Sequence, residues 1–454
     1  MARATFDQLC QLVAETRERL KLPGVAVGLI ADGEEHAAGF GVTNVDHPLE
    51  VDADTLFQVG SISKTFTGLA AMRLVEQGRI ELDAPVRRYL PEWRVADARA
   101  TETATIRHLL THTAGWLGDY FGERDPGDDA LAKYVARMVE ECPQLTPPGE
   151  LYSYCNAGFN LLGRVIEVIT GRTFETAMKE LVLEPLGLQR SFYVPEEVMV
   201  HRFAVGHRVH DGEATVLTPW ALARSAMAPG GIVASAREQL KYARFWLGDG
   251  RGGDGGRVLT PASMRLMQTS QATAAGHPDA RIGLAWHLRD HDGTPIISHG
   301  GGTNGQASLL AIAPSRSFAL SVLTNAGNGG ELITPVQRWA LEQLLGLQDP
   351  PPEPVDTLRG RLAEYAGRYT GSLSDVELRP EGEELVMHLT LKGGFPTRDS
   401  PPLPSPPPTR VALYAQDRLT FLDGPFKEGR AEVIRDGQGR IAWLRIGGRI
   451  RKPG

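Results

Sequence analysis

Three cysteines in 454 residues, at positions 10, 142 and 155, are too few and too scattered for a disulfide framework or a zinc site. No apolar run approaches the roughly 18 residues of a membrane span. Aromatic residues make up only 7% of the chain, and charges of both signs are interspersed to a net −7. There is no basic block to hold nucleic acid and no acidic tail. The opening stretch, "MARATFDQLCQLVAETRERL", reads as an amphipathic helix. Asp7 and Glu15 interrupt it, and it lacks the apolar region and small-residue cleavage site of a secretory signal. A reduced, cytoplasmic setting is expected, without nucleic-acid or membrane partners.

What is present is ordinary globular composition, 42% hydrophobic and 23% charged, enough for one large domain and a smaller one. Residues 23–41, "PGVAVGLIADGEEHAAGFG", read as two strands joined at Asp32-Gly33. Helical patterns dominate from about 62 to 190, among them "IRHLLTHTAG", "DDALAKYVARMVEE" and "NAGFNLLGRVIEVITG". "ASLLAIAP" and "FALSVLTN" then form a hairpin pattern around Ser315-Arg316, and "TPVQRWALEQLLG" a closing helix. Strands at both ends with helices between predict an α+β domain over residues 1–348. "DPPPEP" at 349–354 opens a stiff linker, 349–356, and 357–454 reads as a small, barrel-like all-β domain. A second proline cluster, "PPLPSPPP" at 401–408, reads as an exposed loop within it.

Three short stretches carry chemistry. In "FQVGSISKTFTGLAAMRLVEQG", Lys64 falls in the first turn of a helix, where the positive end of the helix dipole disfavours it. Ser61 lies three residues before it, so the two side chains share a face. A lysine kept neutral there can take the serine proton and make the hydroxyl a nucleophile. In "YSYCNAGFN", Tyr154 and Asn156 precede another helix; one can move a proton, the other donate to a carbonyl. In "SHGGGTNG", His299 is followed by glycines 300–302, whose backbone can approach a ligand closely. Each also has a plainer reading: Ser61 as a helix cap, Lys64 as a solvated side chain, Asn156 as an N-cap, the glycines as a hairpin loop. The H-G-G-G loop of lipases is excluded, because it should precede a G-x-S-x-G elbow that this chain lacks.

Taken in order, "SISK", "YCN" and "HGGGTNG" resemble the S-x-x-K, Y-x-N and K-T-G motifs of the serine β-lactamase and penicillin-binding-protein superfamily. The resemblance is nearest its class C-related branch, with the family VIII esterases, D-aminopeptidases and penicillin-binding-protein-type thioesterases, and runs from residue 8 to about 346. It implies a β-lactamase/transpeptidase-like α+β fold, an antiparallel sheet flanked by helices plus a helical lobe. The C-terminal part, with "LAEYAGRYTGSLSDVELRP", resembles the small lipocalin-like domains of such enzymes. By the same resemblance Ser61 is the nucleophile and Lys64 and Tyr154 the acid/base groups. Asn156 orients substrate and lysine, and His299 borders the site beside Gly301. The backbone N–H groups of Ser61 and Gly302 form the oxyanion hole. Histidine in the lysine position departs from the family pattern; mostly uncharged, it disfavours tight binding of a substrate carboxylate.

The reading is therefore a serine hydrolase acting through an acyl-enzyme on small-molecule or peptide esters and amides, without cofactor or metal. The rivals are an acyltransferase or thioesterase/peptide cyclase using the same site, and a catalytically silent binding protein. His108 and His112 in "HLLTH" have the spacing of zinc ligands on a helix, but the glutamate of H-E-x-x-H is missing. Cys155 reads as a half-buried packing thiol. The acidic stretch "GWLGDYFGERDPGDD" is expected to wall the site and to favour a cationic or neutral acceptor.

Overall fold

The computed structural model describes residues 2–454, with side chains from Ala4 onward, and Met1 lies outside them. Strand β1 (Gly24–Ala31) is apolar at nearly every position and buried along its whole length. Asp32 and Gly33, at φ +51° and +79°, turn the chain back into β2 (Glu34–Gly41), as the Asp-Gly signal predicts. Six later strands complete an antiparallel sheet: β3 (Ala272–Thr273), β4 (Arg281–Ile282), β5 (His287–His291), β6 (Thr294–Thr303), β7 (Gln306–Ala313) and β8 (Phe318–Thr324). Their order across the sheet is β2-β1-β8-β7-β6-β5-β4-β3, so the two ends of the domain meet at the β1–β8 pairing.

Alternation along β1 sets the two layers. Val25, Val27 and Leu29 face α1 (Ala2–Arg19) and the closing helix (Gly330–Ala340), packing with Leu9, Val13, Leu332 and Val336. Ala26 and Ile30 face the other way, into the core of the helical lobe with Phe66, Leu69, Phe159 and Leu240. The helix Ser63–Glu76, amphipathic by its sequence pattern, is buried on almost every side, including Thr65, Thr67 and Gly68. It forms the centre of the lobe rather than its surface.

Beyond residues 349–354, eight strands run from β9 (Gly367–Thr370) to β16 (Arg449–Pro453) and close a barrel in chain order. β9 pairs with β16 at Tyr369↔Pro453. Tyr369, Val376, Leu385, Val411, Phe421 and Leu444 fill the interior. The linker is tied down at both ends, since Arg289 holds Asp349 through two hydrogen bonds of 2.6 and 2.7 Å and Val355 N–H donates to Leu413. Arg338 with Glu428, and Arg398 with Glu141, bind the barrel to the larger domain.

Among the described residues no helix is long and apolar enough to cross a membrane.

Candidate active site

A left-handed glycine starts the site. Gly60, at φ +51°, swings the chain from the short strand Phe57–Gln58 into a single 3₁₀ turn and then the helix Ser63–Glu76. A Cβ on Gly60 would stand 2.7 Å from the Gly302 nitrogen, so the turn lies directly on β6. Ser63 ties this entry together: its hydroxyl donates to the Gly60 carbonyl at 2.6 Å and accepts from Ile232 N–H at 3.0 Å. Ser61 makes no cap and is left free to face the cavity.

Lys64 is wholly buried, and its Nζ lies 3.0 Å from Ser61 Oγ and 2.9 Å from the Pro229 carbonyl. Burial drives its pKa well below the ordinary lysine value, Arg449 adds to the effect, and Asp119 opposes it. Desolvation is the largest of these causes. Tyr154 is also buried, with its ring 4.8 Å from Lys64 Nζ. Desolvation raises its phenol well above the usual range, partly offset by a hydrogen bond to Ser61 and by Arg449. The serine hydroxyl therefore faces an amine that holds its proton weakly and a phenol that holds its proton tightly.

Three expectations about the second motif change. The helix Asn156–Thr170 is capped by Cys155, not Asn156, with the cysteine sulfur accepting from Gly158 N–H at 3.2 Å. Cys155 is fully rather than half buried, and burial pushes its thiol up to about 12. Asn156 lines the cavity, but its amide donates to Asp119 at 2.7 Å rather than turning to Lys64. His112 likewise leaves its expected place. The helix Ile106–Leu110 stops before it, its φ is +56°, and its Nδ1 accepts from Cys155 N–H while its ring stacks on Tyr154.

His299 is 2% exposed and lies against His287, with ring centroids 4.8 Å apart. Its Nδ1 is 2.6 Å from the Gly300 carbonyl. A carbonyl only accepts, so Nδ1 carries the proton and Nε2 is a bare acceptor, buried without a protein partner. Burial, then His287 and Lys64, hold this histidine well below its ordinary pKa. The third motif thus places a buried imidazole of lowered basicity beside the cavity, where a lysine would place a cation.

Of the three glycines, Gly301 is the one demanded by proximity. A Cβ on Gly301 would fall 2.0 Å from the Val59 carbonyl and 2.3 Å from Ser308 Oγ. Thr303 and Gln306 close the tight β6–β7 hairpin, so alternation along the ladder turns the Gly302 N–H off the free edge of β6, beside Gly60.

Two residues that sequence reasoning missed complete the surroundings. Asp119 accepts from Asn156 and from Arg449, the latter through Nη2 at 3.1 Å and through Nε. Arg449 belongs to β16, and its guanidinium lies 4.7 Å from the centre of the Tyr154 ring. The only sequence signal was Gly447-Gly448 just before it, a tight-turn pair. The cavity, about 800 Å³, opens between the two domains over Ser61, Tyr154, Asn156, His299 and Gly300–Gly302. Phe121, Leu222, Leu309, Ile333, Leu373 and Phe395 give it apolar walls. None of the acidic residues of 115–130 lines it: Asp119 holds Arg449, Glu123 pairs with Arg137, and Asp125 with Lys133. The acidic residues behind the expected cationic or neutral acceptor thus lie off the cavity wall, to which this stretch contributes Phe121.

Among the described residues no group of three or more histidine, cysteine or acidic side chains is arranged to hold a metal ion.

The family model described as Beta-lactamase matches residues 9–342. Penicillin-binding protein 4 of Amycolatopsis lactamdurans is 35% identical over 370 residues, spanning 77% of this chain and 93% of that protein. Esterase EstB of Burkholderia gladioli is 36% identical over 226 residues, 46% of this chain and 54% of the esterase. The crystal structure of SurE superposes with a TM-score of 0.76 at 26% identity, covering 100% of both chains, barrel included.

Proposed function

This chain belongs to the beta-lactamase family of serine hydrolases, and from that premise we propose that it cleaves esters, amides or peptides with bulky apolar acyl groups through an acyl-enzyme on Ser61. The observation that carries the reading is Lys64, an amine buried without a carboxylate partner and 3.0 Å from the serine hydroxyl. As Ser61 Oγ attacks the carbonyl carbon, Lys64 takes its proton. The oxygen that becomes negative faces the backbone N–H groups of Ser61 and Gly302. Tyr154, protonated, gives its proton to the leaving oxygen or nitrogen and recovers one through Lys64. Water then enters, gives a proton to the same pair and bonds to the acyl carbon; the bond to Ser61 Oγ breaks, and the pair returns the proton to that oxygen as the acid leaves.

Acyl transfer to an amine or alcohol is the second reading, and the apolar cavity favours it because it disfavours free water near the acyl carbon. Purified protein offered a p-nitrophenyl ester, a D-alanine methyl ester peptide and a peptidyl thioester, with and without added amine, tests both. Acid as the main product supports hydrolysis, and amide supports transfer. No product or adduct from any donor, with Ser61 inert to a fluorophosphonate, would leave a binding role.

A further inference from the structure

The β15–β16 hairpin of the barrel, strands Ile441–Ile446 and Arg449–Pro453, reaches into the cavity of the other domain. Its tip is the two-residue turn Gly447-Gly448, both at positive φ (+57° and +79°), the narrowest turn an antiparallel pair allows. Three contacts seat it on the second motif. Tyr154 N–H donates to the Gly448 carbonyl at 2.8 Å, Ile450 N–H to Ser153 Oγ at 3.4 Å, and Arg449 pairs with the Asp119 that holds Asn156. The guanidinium also lies on the Tyr154 ring, the same ring that Lys64 approaches. We propose that Arg449 is a positioning residue of this active site, through which the barrel fixes the second motif and sets the charge balance around Ser61, Lys64 and Tyr154. The inference rests on the acyl-enzyme reading above.

The groups facing Lys64 leave little else to carry charge. Tyr154 and Cys155 are held protonated by burial, and His112, His287 and His299 are held neutral by it. Asp119 and Arg449 remain as the charged pair, inside a site where screening is weak. The cation on the ring opposes protonation of Lys64, and the carboxylate favours it.

The test is the rate of fluorophosphonate labelling against pH, read by intact mass, with the modified peptide mapped. Label on Ser61 of the wild type establishes the parent reading on its own, and its absence refutes that reading rather than this one. R449Q should label at least about tenfold more slowly at pH 7, with the midpoint of the acid limb moved up by about one unit. R449K, which keeps the charge, should return the midpoint to the wild-type value. D119N should move it down. A folded R449Q with the wild-type midpoint, whatever its rate, overturns the proposal; if R449Q does not fold, an unmoved midpoint in D119N does so.

Discussion

Replacing Gly301 by alanine adds one methyl group at the tightest joint of the site. That methyl would sit 2.0 Å from the Val59 carbonyl oxygen, well inside the 3.0 Å that Cβ atoms essentially never breach. Neither party can rotate away: the oxygen is backbone, it already accepts from Ser308 Oγ at 2.8 Å, and Ser308 is itself 2.3 Å from the new atom. The strand β6 and the Gly60–Ile62 turn must therefore separate by about 1 Å, which is enough to lose roughly 10²-fold in rate where alignment matters. Because the Gly302 N–H moves with the strand, a fall of about 10²–10³ in kcat/KM is expected, the loss typical of one oxyanion donor. Overpacking adds about 1–3 kcal/mol of instability. Gly302→Ala is the control, since its Cβ would meet nothing within 4 Å and its N–H is kept. Labelling rate and Tm of the two variants, measured side by side, decide the matter. If G301A labels and melts like wild type, or if G302A is the more damaged, the close-packing argument is wrong.

Further outcomes follow from the same geometry. The labelling rate should rise with pH through one ionisation, that of Lys64, and then stay flat to about pH 10, because Tyr154 is held protonated beyond that; a falling limb near pH 7 would contradict this. Cys155→Ala should lower stability by about 1 kcal/mol through loss of the cap, while leaving Ser61 labelling within a few-fold of wild type. Iodoacetamide should leave Cys155 unmodified in the folded protein, because its thiol titrates near 12 and is buried; rapid alkylation there would count against the buried cap. With a neutral acceptor at His299, nitrocefin should be turned over with kcat/KM at least about tenfold below a short-chain p-nitrophenyl ester, and the reverse order would mean that a carboxylate is recognised after all.

The residues legible in the sequence were those whose geometry is local. Ser61 and Lys64 meet because one helical turn separates them, and β6 displays its glycines because a strand presents its backbone in order. Asp32-Gly33 fixed its hairpin for the same reason. His112 was misplaced because the helix already ends at Leu110, and a left-handed φ then carries the imidazole to the Cys155 N–H. Asn156 and Asp119 are joined by packing between distant segments of the larger domain, and Asp119 and Arg449 by a contact that depends on how the barrel docks. No spacing in the sequence records that. The Gly-Gly pair at 447–448 announced a tight turn without saying what the turn would enter.

The most direct test of the account is intact-mass spectrometry of wild type and Ser61→Ala, each exposed to a fluorophosphonate and to a p-nitrophenyl ester with product release followed in parallel. The account predicts that only the wild type gains one adduct, mapped to Ser61, and that only it releases p-nitrophenol. Adduct or turnover surviving in Ser61→Ala would contradict it.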